Sequence, residues 1–347
     1  TGDALSADMR NLKDQLRVIS DVLDDAADDA RESDKDDLWN DVSEEEIYNT
    51  TVGKAEGCVN NGVVEGDINA GGVAGAMAVE SVMDPEEDIE RVGDDSFSFH
   101  YETRAILLNC ENRVPVTSRK DYAGGIAGRM DLGYILECRN YGNVESTDGS
   151  YVGGIAGSSA STIRRSQSKC MAAGKNFVGG IAGDAYNLLE NLAFVSVRDA
   201  EMYCGAIAGR VDKEGEVSGN RFVDNGSAGI DGVSYAGKAE PVSYESLMAE
   251  ENAPEEFGRF TLTYIADDTL AGRVSCKYGE PLSSLAVPSV PQKPGYHGEW
   301  EPVGEENITF DHVLKAVYTP HVTTVESSAR RDDVRAVILA DGTFHED

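Results

Sequence analysis

Cysteine is the first residue type in this 347-residue chain that could do chemistry, with six present: Cys58, Cys110, Cys138, Cys170, Cys204 and Cys276. No two stand at C-x-x-C spacing and no histidine falls within the repeat core described below, so a zinc site is not expected. Cys58, Cys110 and Cys138 share one position of that repeat. The reading is of buried free thiols, because unpaired cysteine is among the most buried residue types. A bridge between Cys110 and Cys138 stays open, since neighbouring strands lie about 4.8 Å apart, within disulfide reach.

Three other constellations invite a chemical reading and yield a blander one. Gly232 to Ala239 nearly spells the phosphate loop G-x-x-x-x-G-K-[ST], but Ala239 replaces the hydroxyl that would hold magnesium; a turn or cap is expected. Asp24, Asp25, Asp28, Asp29, Asp34, Asp36 and Asp37 offer oxygens that calcium prefers, yet no EF-hand loop frames them, so they read as a charged helix face. The five histidines (100, 297, 312, 321 and 345) are scattered and no G-x-S-x-G occurs, so no hydrolase set can be assembled. No catalytic, cofactor or metal residues are assigned. Arg129, Arg210 and the pair Arg164-Arg165 recur near the repeat's corners, where they either line a groove for acidic glycans or stand in solvent; solvent is the simpler reading.

Charge narrows the partners. Sixty-three Asp plus Glu against 30 Lys plus Arg give a formal charge of −33, which repels nucleic acid and anionic lipid. Nucleic acid binding is excluded on that ground. No apolar run reaches the roughly 18 residues that would suggest a membrane span. The polar opening Thr1-Gly2-Asp3 does not look like a signal peptide, and the absence of an initial Met suggests a piece of a longer protein.

The elements that position these residues begin with a helix. Leu5, Met9, Leu12, Leu16, Ile19, Leu23, Ala26 and Ala30 form a heptad seam flanked by acids, suited either to self-association or to docking on the rest of the chain. From about residue 53 a repeat takes over. Its pentapeptide runs Gly71-Gly72-Val73-Ala74-Gly75, Gly124-Gly125-Ile126-Ala127-Gly128, Gly153-Gly154-Ile155-Ala156-Gly157, Gly179-Gly180-Ile181-Ala182-Gly183 and Gly205-Ala206-Ile207-Ala208-Gly209. Separations of 53, 29, 26 and 26 residues give a unit of about 26, with one unit in the first gap either degenerate or replaced by an insertion. The acidic stretch 80–95 fits such an insertion.

Two columns keep register with the pentapeptide: Asn69, Tyr122, Tyr151, Phe177 and Tyr203 two residues before it, and Cys58, Cys110, Cys138, Ser166 and Leu192 about 13 to 15 before it. Phe222 falls where that second column would continue. Recurrent glycine and the lack of a 3.6-residue stripe argue for short strands, not helix pairs. Units that each make one turn of a coil would stack like strands in parallel, and the handedness rule favours a right-handed β-helix, or solenoid. The glycines are then expected where the backbone bends through φ > 0 or approaches its neighbour closely. Gly71, Gly75, Gly124, Gly128, Gly153, Gly157, Gly179, Gly183, Gly205 and Gly209 are the structural residues of the repeat.

The expected organisation is a helical stalk or cap over 1–50, a capped β-helix over 51–256, a small strand-rich domain over 257–321 and the start of a further domain over 322–347. The third segment follows the acidic linker around Pro254 and holds the alternating run Phe260 to Ile265, the prolines 288, 291 and 294, and the strand Leu314 to Tyr318.

The Gly-Gly-Ile-Ala-Gly rungs, preceded by Cys138-Arg-Asn-Tyr-Gly-Asn-Val144, resemble the GLUG repeats of Gram-positive cell-surface proteins. Segment 260–318, through Tyr278-Gly279, Pro294-Gly295-Tyr296, Trp300 and the Ile308-Thr309 to Ala316-Val317-Tyr318 ending, is similar to the β-grasp repeat of internalin B and related surface proteins. The resemblance implies a mainly β, extracellular protein of the bacterial surface, with a structural or adhesive role and an undefined glycan or protein ligand. A carbohydrate-binding or lyase-like β-helix is the competing expectation. It implies no cofactor and transfers no active-site residue.

Overall fold

The computed structural model describes residues 39–79, 101–250 and 253–320, together with the strands Thr323–Val325, Ala336–Ile338 and Phe344–Glu346. The heptad seam over 5–30, the aspartate cluster 24–37 and the acidic stretch 80–95 lie outside these residues. The end of the expected 1–50 stalk is not helical: Trp39–Asp41 is a strand, parallel to Tyr101–Thr103, and turns follow it.

The fold is mainly β with parallel sheets, consistent with a β-helix-like arrangement. Three sheets are built from equivalent strands of successive repeats. One sheet carries Ala74, Ala127, Ala156, Ala182 and Ala208 side by side in register. A second places Gly71, Gly124, Gly153, Gly179 and Gly205 in one row. A third runs through Val59–Asn60, Glu111–Asn112, Arg139–Asn140, Gln167–Ala173, Leu192–Arg198, Asn220–Val223 and Ala239–Val242. Because Gly71 pairs directly with Gly124, the 53-residue gap is a single step carrying an insertion, not a degenerate unit. The near phosphate loop is a turn: Gly232 and Gly237 adopt φ +70° and +77°, leading into Ala239–Val242.

The core follows from this register. Ile126, Ile155, Ile181 and Ile207 are fully buried in one row, beside a row of buried alanines one residue on. The amides of Ile126, Ile155 and Ile181 each donate to the next isoleucine carbonyl at 2.8–2.9 Å, and that of Ile207 donates to the Gly229 carbonyl at 2.8 Å. Removing such side chains from water contributes about 1.5–3 kcal/mol apiece, and every row gains from its neighbour's presence.

The pentapeptide glycines do not serve the expected φ > 0 corners, since none of them has positive φ. Close approach explains them instead. A Cβ on Gly124 would lie 1.8 Å from the Ala127 oxygen, and one on Gly154 would lie 2.1 Å from the Gly180 oxygen of the next unit. Neither contact is sterically possible.

Residues 260–320 form a four-stranded mixed sheet in which Phe260–Ala266 runs antiparallel to Thr269–Cys276 and parallel to His312–Pro320, with Tyr296–Trp300 on the far edge. Beyond it, Thr323–Val325, Ala336–Ile338 and Phe344–Glu346 pair as an antiparallel sheet. The boundary expected at 256 is crossed by one apolar cluster. Leu192, Phe194 and Val223 of the repeat pack with Leu247, Phe257, Phe260, Leu262 and Phe310. Phe194 is fully buried at its centre, with ring centroids of Phe310, Phe260 and Phe257 at 4.9, 5.8 and 6.2 Å. Beside it, the buried ammonium of Lys169 donates to the Arg259 carbonyl, meets Asp311 Oδ2 at 3.0 Å and lies 4.0 Å from the Phe260 ring centroid. Burial lowers the Lys169 pKa, against the opposing pull of Asp311.

Candidate functional site

Two corners of the repeat adopt positive φ: one at Gly57, Asn109, Glu137, Arg165, Glu190 and Gly219, the other at the aromatic column. Asn69, Tyr122, Tyr151, Phe177 and Tyr203 have φ between 53° and 68°. Left-handed backbone costs a residue with a Cβ roughly 1–2 kcal/mol. The rings stack in compensation, with centroids 4.9, 4.7 and 4.6 Å apart along the series Tyr122, Tyr151, Phe177, Tyr203. Each pair contributes about 0.5–1.5 kcal/mol beyond burial, comparable to the strain it offsets. Tyr151 and Phe177, in the middle of the series, are each stacked between two rings.

The arginines around the repeat are already partnered. Arg129 meets Asp131 at 2.7 Å and lies 5.5 Å from the Tyr122 centroid; Arg210 meets Asp184 at 2.6 Å and lies 4.9 Å from that of Phe177. Arg164 pairs with Glu190 at 3.2 Å and Arg165 with Glu137 at 3.1 Å. They stand apart in separate pairs, so the structure does not gather these four into one anion-binding row.

The cysteine column is a hydrogen-bond ladder. Cys110 N donates to Cys138 Sγ at 3.4 Å, Cys138 N to Ser166 Oγ at 3.2 Å, Ser166 N to Asn191 Oδ1 at 2.8 Å, and Asn191 N to Asn220 Oδ1 at 3.0 Å. Its fifth and sixth members are Asn191 and Asn220, not Leu192 and Phe222 as the spacing suggested. The position selects a small acceptor for the preceding unit's amide, which accounts for Cys, Ser and Asn in one column. A second ladder went unnoticed in the sequence: Asn60 Nδ2 donates to Asn112 Oδ1, and Asn112 Nδ2 to Asn140 Oδ1, both at 2.8 Å. Recurrence of Asn two residues after Cys at 60, 112 and 140 is the signal that would have found it. All six cysteines are free thiols. Among the described residues, no group of three or more His, Cys, Asp or Glu is placed to hold a metal.

One concave polar feature brings distant segments together. A cavity of about 470 Å³ lies between the third sheet and the 253–256 linker, lined by Glu111, Glu137, Arg139, Tyr141, Arg165 and Glu256 among others. Sheet register brings Glu111 and Arg139 side by side on adjacent strands. Arg139 reaches Glu111 only at 3.9 Å, the limit of an ion pair, while Arg165 also donates to Tyr48 Oη at 2.9 Å. The buried Tyr141 hydroxyl has no hydrogen-bond partner among the described residues, and burial pushes its pKa up, so it stays a protonated donor. Two guanidinium groups, a phenol and carboxylates in one groove can bind hydroxyls, or a single carboxylate, by directed hydrogen bonds. None of these groove residues was singled out in the sequence except Arg165.

Among the described residues, no helix is long and apolar enough to cross a membrane. Comparison with protein-family models, with curated proteins and with solved structures gives no match.

Proposed function

We propose that the repeats form a right-handed parallel β-helix, that residues 257–321 are a β-grasp module docked on it, and that the protein is a non-catalytic structural or adhesive part of a bacterial cell surface. One observation carries this reading: the recurring polar side chains are engaged between units, as the Cys-Ser-Asn and Asn ladders and the Arg–carboxylate pairs. Side chains so used stiffen a stack of units. Rigid extended bodies suit spacing and repeated contact at a surface. The purified protein is expected to adhere to a cell or matrix surface without consuming polysaccharide. Release of unsaturated or reducing sugar ends from a polysaccharide panel would contradict it.

The groove supports a second reading, as a glycan-binding site. With a net charge of −33, long polyanions are repelled over the roughly 10 Å Debye length at 0.1 M salt, so a neutral or singly acidic oligosaccharide is the fitting ligand. Arg139→Ala combined with Arg165→Ala should then weaken binding tenfold or more on a glycan array followed by calorimetry. Binding indifferent to both substitutions would remove the groove from the account.

A further inference from the structure

We propose that Cys58 and Cys110 form a redox couple, in which oxidation at the solvent-facing end of the thiol column ties the first repeat to the second through a disulfide. Val59 pairs with Glu111 and Asn60 with Asn112 in parallel register, and Glu111 N donates to Cys58 O at 2.8 Å. The two preceding cysteines therefore sit side by side on adjacent strands, about 4.8 Å apart at Cα, inside the 4.4–6.8 Å range that a disulfide accepts. Only the end of the column meets water: Cys58 is exposed, whereas Cys110 and Cys138 are buried. An oxidant thus reaches Cys58 first.

The electrostatics assign the roles. The Cys110 pKa is pulled down to about 6, first by its hydrogen bond with Cys138 and further by Cys58, while burial and the neighbouring Cys110 push that of Cys58 up. The lowered pKa makes Cys110 the more readily ionised of the two and suits it to the resolving step. With hydrogen peroxide as oxidant, exposed Cys58 first loses its proton to solvent; its thiolate attacks one peroxide oxygen, the O–O bond breaks, and Cys58 becomes a sulfenic acid while the departing hydroxide takes up a proton and leaves as the first water. The Cys110 thiolate then attacks the Cys58 sulfur; the S–S bond forms, the S–O bond breaks, and hydroxide departs to take up a proton as the second water. Two thiols and one peroxide give one disulfide and two waters.

Treatment of the full chain with one equivalent of hydrogen peroxide, then thiol titration in denaturant and peptide mapping, tests this. Before treatment six thiols should react without reductant, matching the six free cysteines; afterwards two fewer should react, with a Cys58–Cys110 cross-linked peptide lighter by two hydrogens. Cys58→Ser should abolish the cross-link, as should Cys110→Ser, a change the fold tolerates because Ser166 occupies the same column. Cys204→Ser should leave it intact. Cys58 found as sulfinic acid without a partner, a cross-link between Cys110 and Cys138 instead, or no oxidation at all would overturn the proposal.

Discussion

Gly180→Val is expected to unfold the repeat region. A Cβ there would lie 1.9 Å from the Ala206 carbonyl oxygen and 2.5 Å from Val195 Cγ2, against backbone and core that have no room to yield. Overpacking in a compliant core costs about 1–3 kcal/mol; contact with main chain on the neighbouring strand should exceed the top of that range. Against a typical stability of about 5–15 kcal/mol, the loss is large. Denaturant titration followed by circular dichroism should show the midpoint fall steeply or the transition vanish. Gly62→Ala is the control, because its Cβ would meet only Asn60 Oδ1 at 3.8 Å. Equal midpoints for Gly180→Val and the parent protein would refute close approach as the reason for the glycine row.

The second large effect lies at the junction. Phe194→Ala removes a fully buried ring from the middle of an aromatic cluster drawn from both the repeat and the mixed sheet. Truncating a buried phenylalanine costs about 3–5 kcal/mol. Here the loss should also uncouple two units: calorimetry is expected to show one transition for the parent and two for the variant, with residues 257–320 melting first. Lys169→Met offers a contrasting case. Its apolar isostere keeps the packing on Phe260 and avoids burying an ammonium, but leaves Asp311, which is partly exposed, free to hydrate. Removing one partner of a fully buried pair would be costly, but the exposure of Asp311 limits the loss here, and the two-transition behaviour should not appear. A single unshifted transition in Phe194→Ala would mean the junction does not couple the parts.

Much of the architecture was legible because the features that specify it recur. Glycines that prevent a clash at one unit prevent it at every unit, so the rows around Ile126, Ile155, Ile181 and Ile207 stand out in a single sequence. The aromatic column was equally plain, although its left-handed backbone was not: strain at Tyr151 is held by rings on neighbouring units and leaves no local trace. Fixed spacing misled at Leu192, because the step from Thr162 to Asn187 is 25 residues, shorter than the 28 from Tyr134 to Thr162, and this moves the acceptor position onto Asn191. The groove and the Phe194 cluster were invisible for a different reason. Each joins segments far apart in sequence, Glu111 with Pro254 or Phe194 with Phe310, and neither carries a period to count.

Distances along the stack test the central arrangement most directly. Register links Glu65 to Thr117, Thr117 to Glu145, Glu145 to Ala173 and Ala173 to Arg198. Four parallel steps of about 4.8 Å place the Cα atoms of Glu65 and Arg198 about 19 Å apart. Nitroxide labels introduced at these two positions through non-natural amino acids, leaving the native thiols untouched, should give a narrow double electron–electron resonance distribution centred near that separation. A broad distribution, or a mean well beyond what the label arms can add, would contradict the stacking of these repeats.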